Sequence, residues 1–257
     1  MSPQLEANCL LLSANVSYEN AARDLQRLTG IYVDHSTQQR LVHRQEFADV
    51  LAAAETVTDI SIDGGKARLR TNQGQPSEWR DYKAVTLHNQ GCAAFFQENE
   101  KLVILVNEQP LADPITCLGD GHPGVWNLIA DIATTPQRRE ILDWYHLKEN
   151  LHKVGGSNQR LRDVETSLWC GKIDQAMAAF ADWDSPQVKN FLAYLERHRL
   201  RIPDYKTFQQ QGITIGSGAV ESTIKQISRR IKISGAQWNR HNLPQILKHR
   251  CSYLNLL

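Results

Sequence analysis

The sequence predicts an α/β fold: a mixed β-sheet with a helical insertion, preceded by a small helical N-terminal region. Three observations predict it. The apolar residues change from helical to alternating spacing near Glu55. Strand and helix patterns then alternate between Ile115 and Leu151. From Gly155 to Gln211 the strand signal is gone. The chain therefore divides into a helical region, residues 1–54, and an α/β domain, residues 55–257, with the insertion at about 155–211.

Taken in order, residues 5–29 read as helix through Leu10, Leu11, Leu12, Ala21, Ala22, Leu25 and Leu28. Ser17 is a candidate N-cap inside that stretch, and Gly30 a stop. Ser36-Thr37 can cap a second helix through Leu41-Val42-His43-Arg44. Helix, glycine turn and a polar helix is a helix-turn-helix layout. Two packed helices without a nucleic-acid role give the same pattern. Val57, Ile60 and Ile62 then form a strand that Gly64-Gly65 ends. Trp79–His88 and Cys92–Phe96 are two further strands, whereas Lys101–Val106 is ambiguous between strand and helix. Ile115–Leu118 is a short strand, Trp126 to Ile132 a helix, Glu140–Leu142 a strand and Trp144–Leu151 a helix. Beyond the insertion, the Gly212–Gly218 loop opens a helix with Val220, Ile224, Ile227 and Ile231 on one stripe.

Bulk properties narrow the classes. The 257 residues carry 29 Lys and Arg against 28 Asp and Glu, a net charge of +1, so a uniformly basic nucleic-acid binder is excluded while local patches are not. The 5 cysteines are scattered, with no metal-ligand spacing, which suits a reduced, cytoplasmic chain. No apolar run reaches the roughly 18 residues of a membrane span, and the N-terminus lacks a signal-peptide layout. No membrane partner is expected.

Three acids carry the chemistry: Asp63 in Ile62-Asp63-Gly64-Gly65, Asp120 in Leu118-Gly119-Asp120-Gly121, and Glu221 in Gly216-Ser217-Gly218-Ala219-Val220-Glu221. Alone, an Asp-Gly pair is a turn and an acid at a helix start is favoured by the dipole. Together, three carboxylates at strand ends and a helix start can hold two Mg²⁺ or Mn²⁺ ions and serve metal-assisted phosphoryl transfer. Asp143 and His146 share a helix face and are auxiliary candidates to position DNA or a water, with Trp144 or Tyr145 available to stack on a base. Taken alone, those aromatics read as core and His146 as surface. His122 is a possible spare ligand, and the other histidines read as surface or satisfied core. Lys225 and Arg229 follow Glu221 at four-residue steps; with Arg230, Lys232, Trp238 and Arg240 they form a candidate DNA-binding set. No Asp or Glu follows Glu221, so this basic stretch is one-sided.

These motifs, with Ser17-Tyr18, Ala21-Ala22 and Leu28-Thr29-Gly30 before them and Gly235-Ala236-Gln237-Trp238 after, resemble the DDE transposases of bacterial insertion sequences. The resemblance is greatest to the Mutator-like group with the Kra-type elements, and runs from about Val16 to Tyr253. It implies a ribonuclease H-like fold with the first acid on the first strand, the second after the fourth, and the third on a helix beyond a helical insertion. Asp63, Asp120 and Glu221 match these in turn, and Asp143 and His146 match the family's Asp-x-x-His. The implied activity is DNA strand cleavage and strand transfer at element ends. The implied partners are double-stranded DNA, terminal inverted repeats and target, with homo-oligomers assembled on it. The chain is shorter at both ends than such relatives. A truncated remnant that binds DNA without catalysis is therefore the alternative, and a nuclease that cuts without joining a third.

Overall fold

A computed structural model of the chain describes residues 1–47, 55–88 and 90–256. The boundary expected at 54/55 adjoins residues 48–54, outside the described residues. The architecture is α/β, with one mixed five-stranded sheet in the order β3-β2-β1-β4-β5. The strands are β1 (Val57–Leu69), β2 (Glu78–Leu87), β3 (Gly91–Phe95), β4 (Leu111–Gly119) and β5 (Arg138–Leu142). By its contacts the chain forms two units that share β1. One holds residues 1–56, 63–110 and 219–257; the other holds 57–62 and 111–218.

In the first unit, α1 (Pro3–Ser13), α2 (Tyr18–Thr29) and α3 (His35–Arg44) all pack on one another. The single helix expected over 5–29 is two helices. The chain turns between Ala14 and Ser17, and the Ser17 hydroxyl caps α2 by accepting from Asn20 N at 3.2 Å. Gly30 ends α2 as expected. The cap of α3 is Asp34 rather than Ser36 or Thr37, because the Asp34 carboxylate accepts from Ser36 N at 2.9 Å. A carboxylate at that position serves both the open N–H groups and the positive end of the dipole.

The strand β1 does not stop at Gly64-Gly65 but continues to Leu69. Gly65 is there for a close neighbour, not a turn. A Cβ on Gly65 would sit 2.3 Å from the Tyr82 ring, which is fully buried across the adjacent strand. The ambiguous segment is α4 (Asn99–Asn107), where Leu102, Leu105 and Val106 are buried and pack toward β2 and β3. Helical spacing of those three residues fits one face only as a helix. The remaining helices of this unit are α11 (Gly218–Ile231) and α12 (Leu243–Leu254). The α11 stripe is as expected, with Val220, Ile227 and Ile231 buried and Ile224 partly so. Leu243, Ile246 and Leu247 of α12 complete one core with Leu69, Tyr82 and Ala84.

In the second unit, residues 57–62 of β1 pair in parallel with β4, and β4 pairs in parallel with β5. Ile60, Ile62, Ile115 and Leu118 are at most 1 % exposed. Each such side chain contributes about 1.5–3 kcal/mol by leaving water. Helix α5 (Pro123–Ala130) follows β4, and α6 (Trp144–His152) follows β5. The insertion is helical as expected: α7 (Asn158–Trp169), α8 (Ile173–Ala178), α9 (Pro186–Arg197), a 3-10 turn at Arg199–Arg201 and α10 (Tyr205–Gln210).

Candidate active site

The parallel β1–β4 ladder sets the positions of two acids. Its last partners are Ile62 and Gly119; Asp63 is the next residue along β1, and Asp120 the next beyond β4. Asp63 thus lies inside a strand rather than closing one, because β1 runs on past the end of that ladder. It is half-buried, and its Oδ1 accepts from Gly64 N at 2.5 Å. Asp120 is half-buried in the loop after β4, where its Oδ1 accepts from His122 N at 2.8 Å. His122 caps α5, its Nδ1 accepting from Gly124 N at 3.1 Å. That nitrogen is therefore committed to the helix and is not a spare metal ligand.

Glu221 lies in the first turn of α11, as expected, with its side chain 38 % exposed and its Oε2 3.1 Å from Lys225 Nζ. At that exposure the pair contributes little to stability. Among the described residues, no three His, Cys, Asp or Glu side chains are grouped closely enough to hold a metal ion.

Asp143 and His146 are brought together. Asp143 has no exposed surface and caps α6: its Oδ1 accepts from His146 N at 2.7 Å and lies 3.1 Å from His146 Nδ1. Its Oδ2 accepts from the backbone N–H of Ser217, in the loop that leads into α11. Burial pushes the Asp143 carboxyl up, but the hydrogen bonds from His146 and Ser217 outweigh it and hold the group below the usual carboxylate value. Trp144 N also donates to Ile215 O at 3.1 Å, so α6 and the glycine loop are fastened at two points. A Cβ on Gly216 would lie 2.6 Å from the ring of the exposed Tyr145, so a larger residue there would have to displace that ring. Trp144 is not available to stack on a base. It is buried against Trp169 at 4.8 Å and Tyr205 at 5.0 Å between ring centroids.

The insertion contributes two residues that sequence reasoning missed. Tyr194 and His198, four apart on and just after α9, reach the Asp120 loop. A Cβ on Gly121, at φ +92°, would fall 2.6 Å from the Tyr194 hydroxyl. Burial is the largest cause pushing the Tyr194 pKa up, and the charges of Asp120 and Asp143 add to it. The phenol therefore stays protonated at neutral pH. His198 is 1 % exposed beside the Tyr194 ring at 4.8 Å. Burial, then Arg201 and Arg197, lower its pKa to about 4, so it is neutral at pH 7. The i, i+4 spacing of an aromatic and a histidine was the only available signal.

The basic set divides. Lys225, Arg229 and Lys232 are exposed on or just beyond α11, as a phosphate-binding face requires. Arg240 is exposed but held by Glu78 at 2.9 Å and by Gln97. Arg230 and Trp238 do not extend that surface. Arg230 is 2 % exposed, with Nε donating to Ser13 O at 2.7 Å. Trp238 is buried, with Nε1 donating to Ile231 O at 2.8 Å and its backbone paired beside Leu69. Arg230 falls on the inward side of α11, one residue before Ile231 of the apolar stripe. On α3, Gln39, Arg40 and Arg44 are exposed. No helix of the described residues is long and apolar enough to cross a membrane. No protein-family model matches the chain, and no curated protein matches it.

Proposed function

We propose that the protein is a metal-dependent enzyme that cleaves and joins DNA strands, built on a ribonuclease H-like core of the transposase kind. The observation that supports it most is the placement of Asp63 and Asp120 directly beyond the last partners of a buried parallel ladder. The third acid, Glu221, starts the helix that carries Lys225 and Arg229.

By chemistry alone the donor set suits hard divalent cations: three half-buried carboxylates offer the oxygen ligands that Mg²⁺ and Mn²⁺ take, although in this structure the three are not grouped closely enough to hold one. Asp63, Asp120 and Glu221 would hold two such ions. When bound, the ions activate the attacking oxygen and stabilise the leaving one. Asp143 fixes the loop before α11 through Ser217, and His146 is held against it. Lys225, Arg229 and Lys232 bind backbone phosphates, a salt-sensitive interaction. Hydrolysis of one phosphodiester frees a 3′-hydroxyl, which then attacks a target phosphodiester, forming a new 3′–5′ linkage as the target's own 3′-oxygen leaves and takes up a proton. Double-stranded DNA with terminal inverted repeats is the substrate, and self-association on it is expected by analogy with such enzymes.

The test incubates the purified chain with labelled duplexes bearing the repeats that flank its gene, plus a target plasmid, in Mg²⁺ or Mn²⁺. Nicked 3′-hydroxyl ends and joined products are expected. Hydrolysed ends without joining would assign a nuclease instead. Salt-sensitive binding without cleavage in either metal would assign a DNA-binding protein without catalysis.

A further inference from the structure

Arg230 is a buried cation with no counter-ion among the described residues. Among the described residues no carboxylate pairs with it, and its Nη2 has no hydrogen-bond partner. Its guanidinium is held between two rings, 5.1 Å from the Tyr18 centroid and 4.9 Å from that of Trp238. The Nε bond to Ser13 O fixes the remaining orientation. The Tyr18 hydroxyl faces the same guanidinium and interacts with it, and among the described residues its own proton has no acceptor. An isolated buried charge is costly, and an arginine does not escape that cost by losing its proton.

Both groups line a cavity of about 370 Å³, together with Ser17, His43, Arg70 and Trp238. Its described walls hold two arginines and one histidine and no acid. Arg250, also buried and bonded to the carbonyls of Ala14 and Gln226 and to Asn15 rather than to a carboxylate, adds positive charge nearby. Burial raises the Tyr18 pKa to about 12 against the pull of Arg230, so at neutral pH the phenol remains a donor. Two fixed donors, a positive field and room for a tetrahedral anion are all in one place.

We propose that this cavity is an oxyanion site, in which a phosphate group accepts from Arg230 Nη2 and from the Tyr18 hydroxyl. The phosphate is either free in solution or a phosphodiester of bound nucleic acid, and the chemistry of recognition is the same for both. The site is separate from the three acids and does not depend on strand cleavage.

The test is calorimetric titration of the full chain with inorganic phosphate at constant ionic strength, with chloride as the control. One saturable site is expected. Arg230→Met should weaken it by at least about tenfold and Tyr18→Phe by about fivefold, the scale of a lost bond to a charged group. Tyr18→Phe keeps the ring on the guanidinium, so it reads the site even where Arg230→Met does not fold. Displacement of phosphate by a short duplex assigns the anion to the nucleic-acid backbone. Binding that the duplex leaves unchanged assigns it to free phosphate. No saturable binding up to about 10 mM phosphate, an affinity near 3 kcal/mol and too weak to matter, overturns the proposal. So does an affinity unchanged in Tyr18→Phe.

Discussion

Asp120→Asn is expected to abolish metal-dependent strand cleavage, lowering the rate by about 10³-fold or more, while leaving the fold intact. The side chain is half-buried just beyond the end of a strand, and its Oδ1 accepts from His122 N at 2.8 Å. The amide oxygen of asparagine can still accept that bond, so the loop and the α5 cap should survive. What is lost is the negative charge, and with it a ligand for a hard cation. A factor of 10³ corresponds to about 4 kcal/mol of transition-state stabilisation, the scale of charge stabilisation by a bound metal. The check pairs a cleavage assay in Mg²⁺ with a thermal melt. Unchanged cleavage would remove Asp120 from the chemistry. Lost cleavage together with a lost fold would show a structural role instead.

The second large effect concerns stability. Asp143→Ala should destabilise the protein by about 2–4 kcal/mol, read from the midpoint of urea unfolding. The substitution removes the α6 cap and strands the N–H of Ser217, which is 4 % exposed. A lost cap accounts for about 0.5–2 kcal/mol, and a bond to a buried charged group for about 1.5–3 kcal/mol. Asp143→Asn should be nearly as damaging. Its amide oxygen can accept from His146, but its NH₂ then points a donor at the Ser217 donor. The pH dependence has a definite sign. The folded pKa of Asp143 is depressed, so its contribution is fully present above the unfolded value of about 3.9. It is lost as pH falls through the folded value. The gap between wild type and Asp143→Ala should therefore be full at pH 6 and close in strong acid. A gap independent of pH would mean that the carboxylate charge plays no part.

Particular residues show what could be read without coordinates. The apolar stripe of α11 and the short buried runs ending at Ile62 and Leu118 were legible because periodicity alone defines them. Asp63 was placed correctly beside them but wrongly at a strand end, since Gly64-Gly65 looks like a terminator. The Tyr82 ring, from the neighbouring strand, explains Gly65. The helix at Asn99–Asn107 was ambiguous for a related reason: its apolar residues fit two periods, and packing decides. Arg230 and Trp238 were misread as surface because local charge and aromaticity carry no burial information. Their environment comes from Tyr18 and Ser13, more than two hundred residues away in sequence. Tyr194 and His198 were invisible for the same reason, since the Asp120 loop they touch lies far up the chain.

Crystals soaked in Mn²⁺ and measured at the manganese absorption edge address the central claim most directly. The account predicts two anomalous peaks roughly 3.5–4 Å apart, within bonding distance of Asp63, Asp120 and Glu221, and their loss in Asp120→Asn. Manganese bound by a different set of side chains, or no site at these three carboxylates with DNA present, would contradict it.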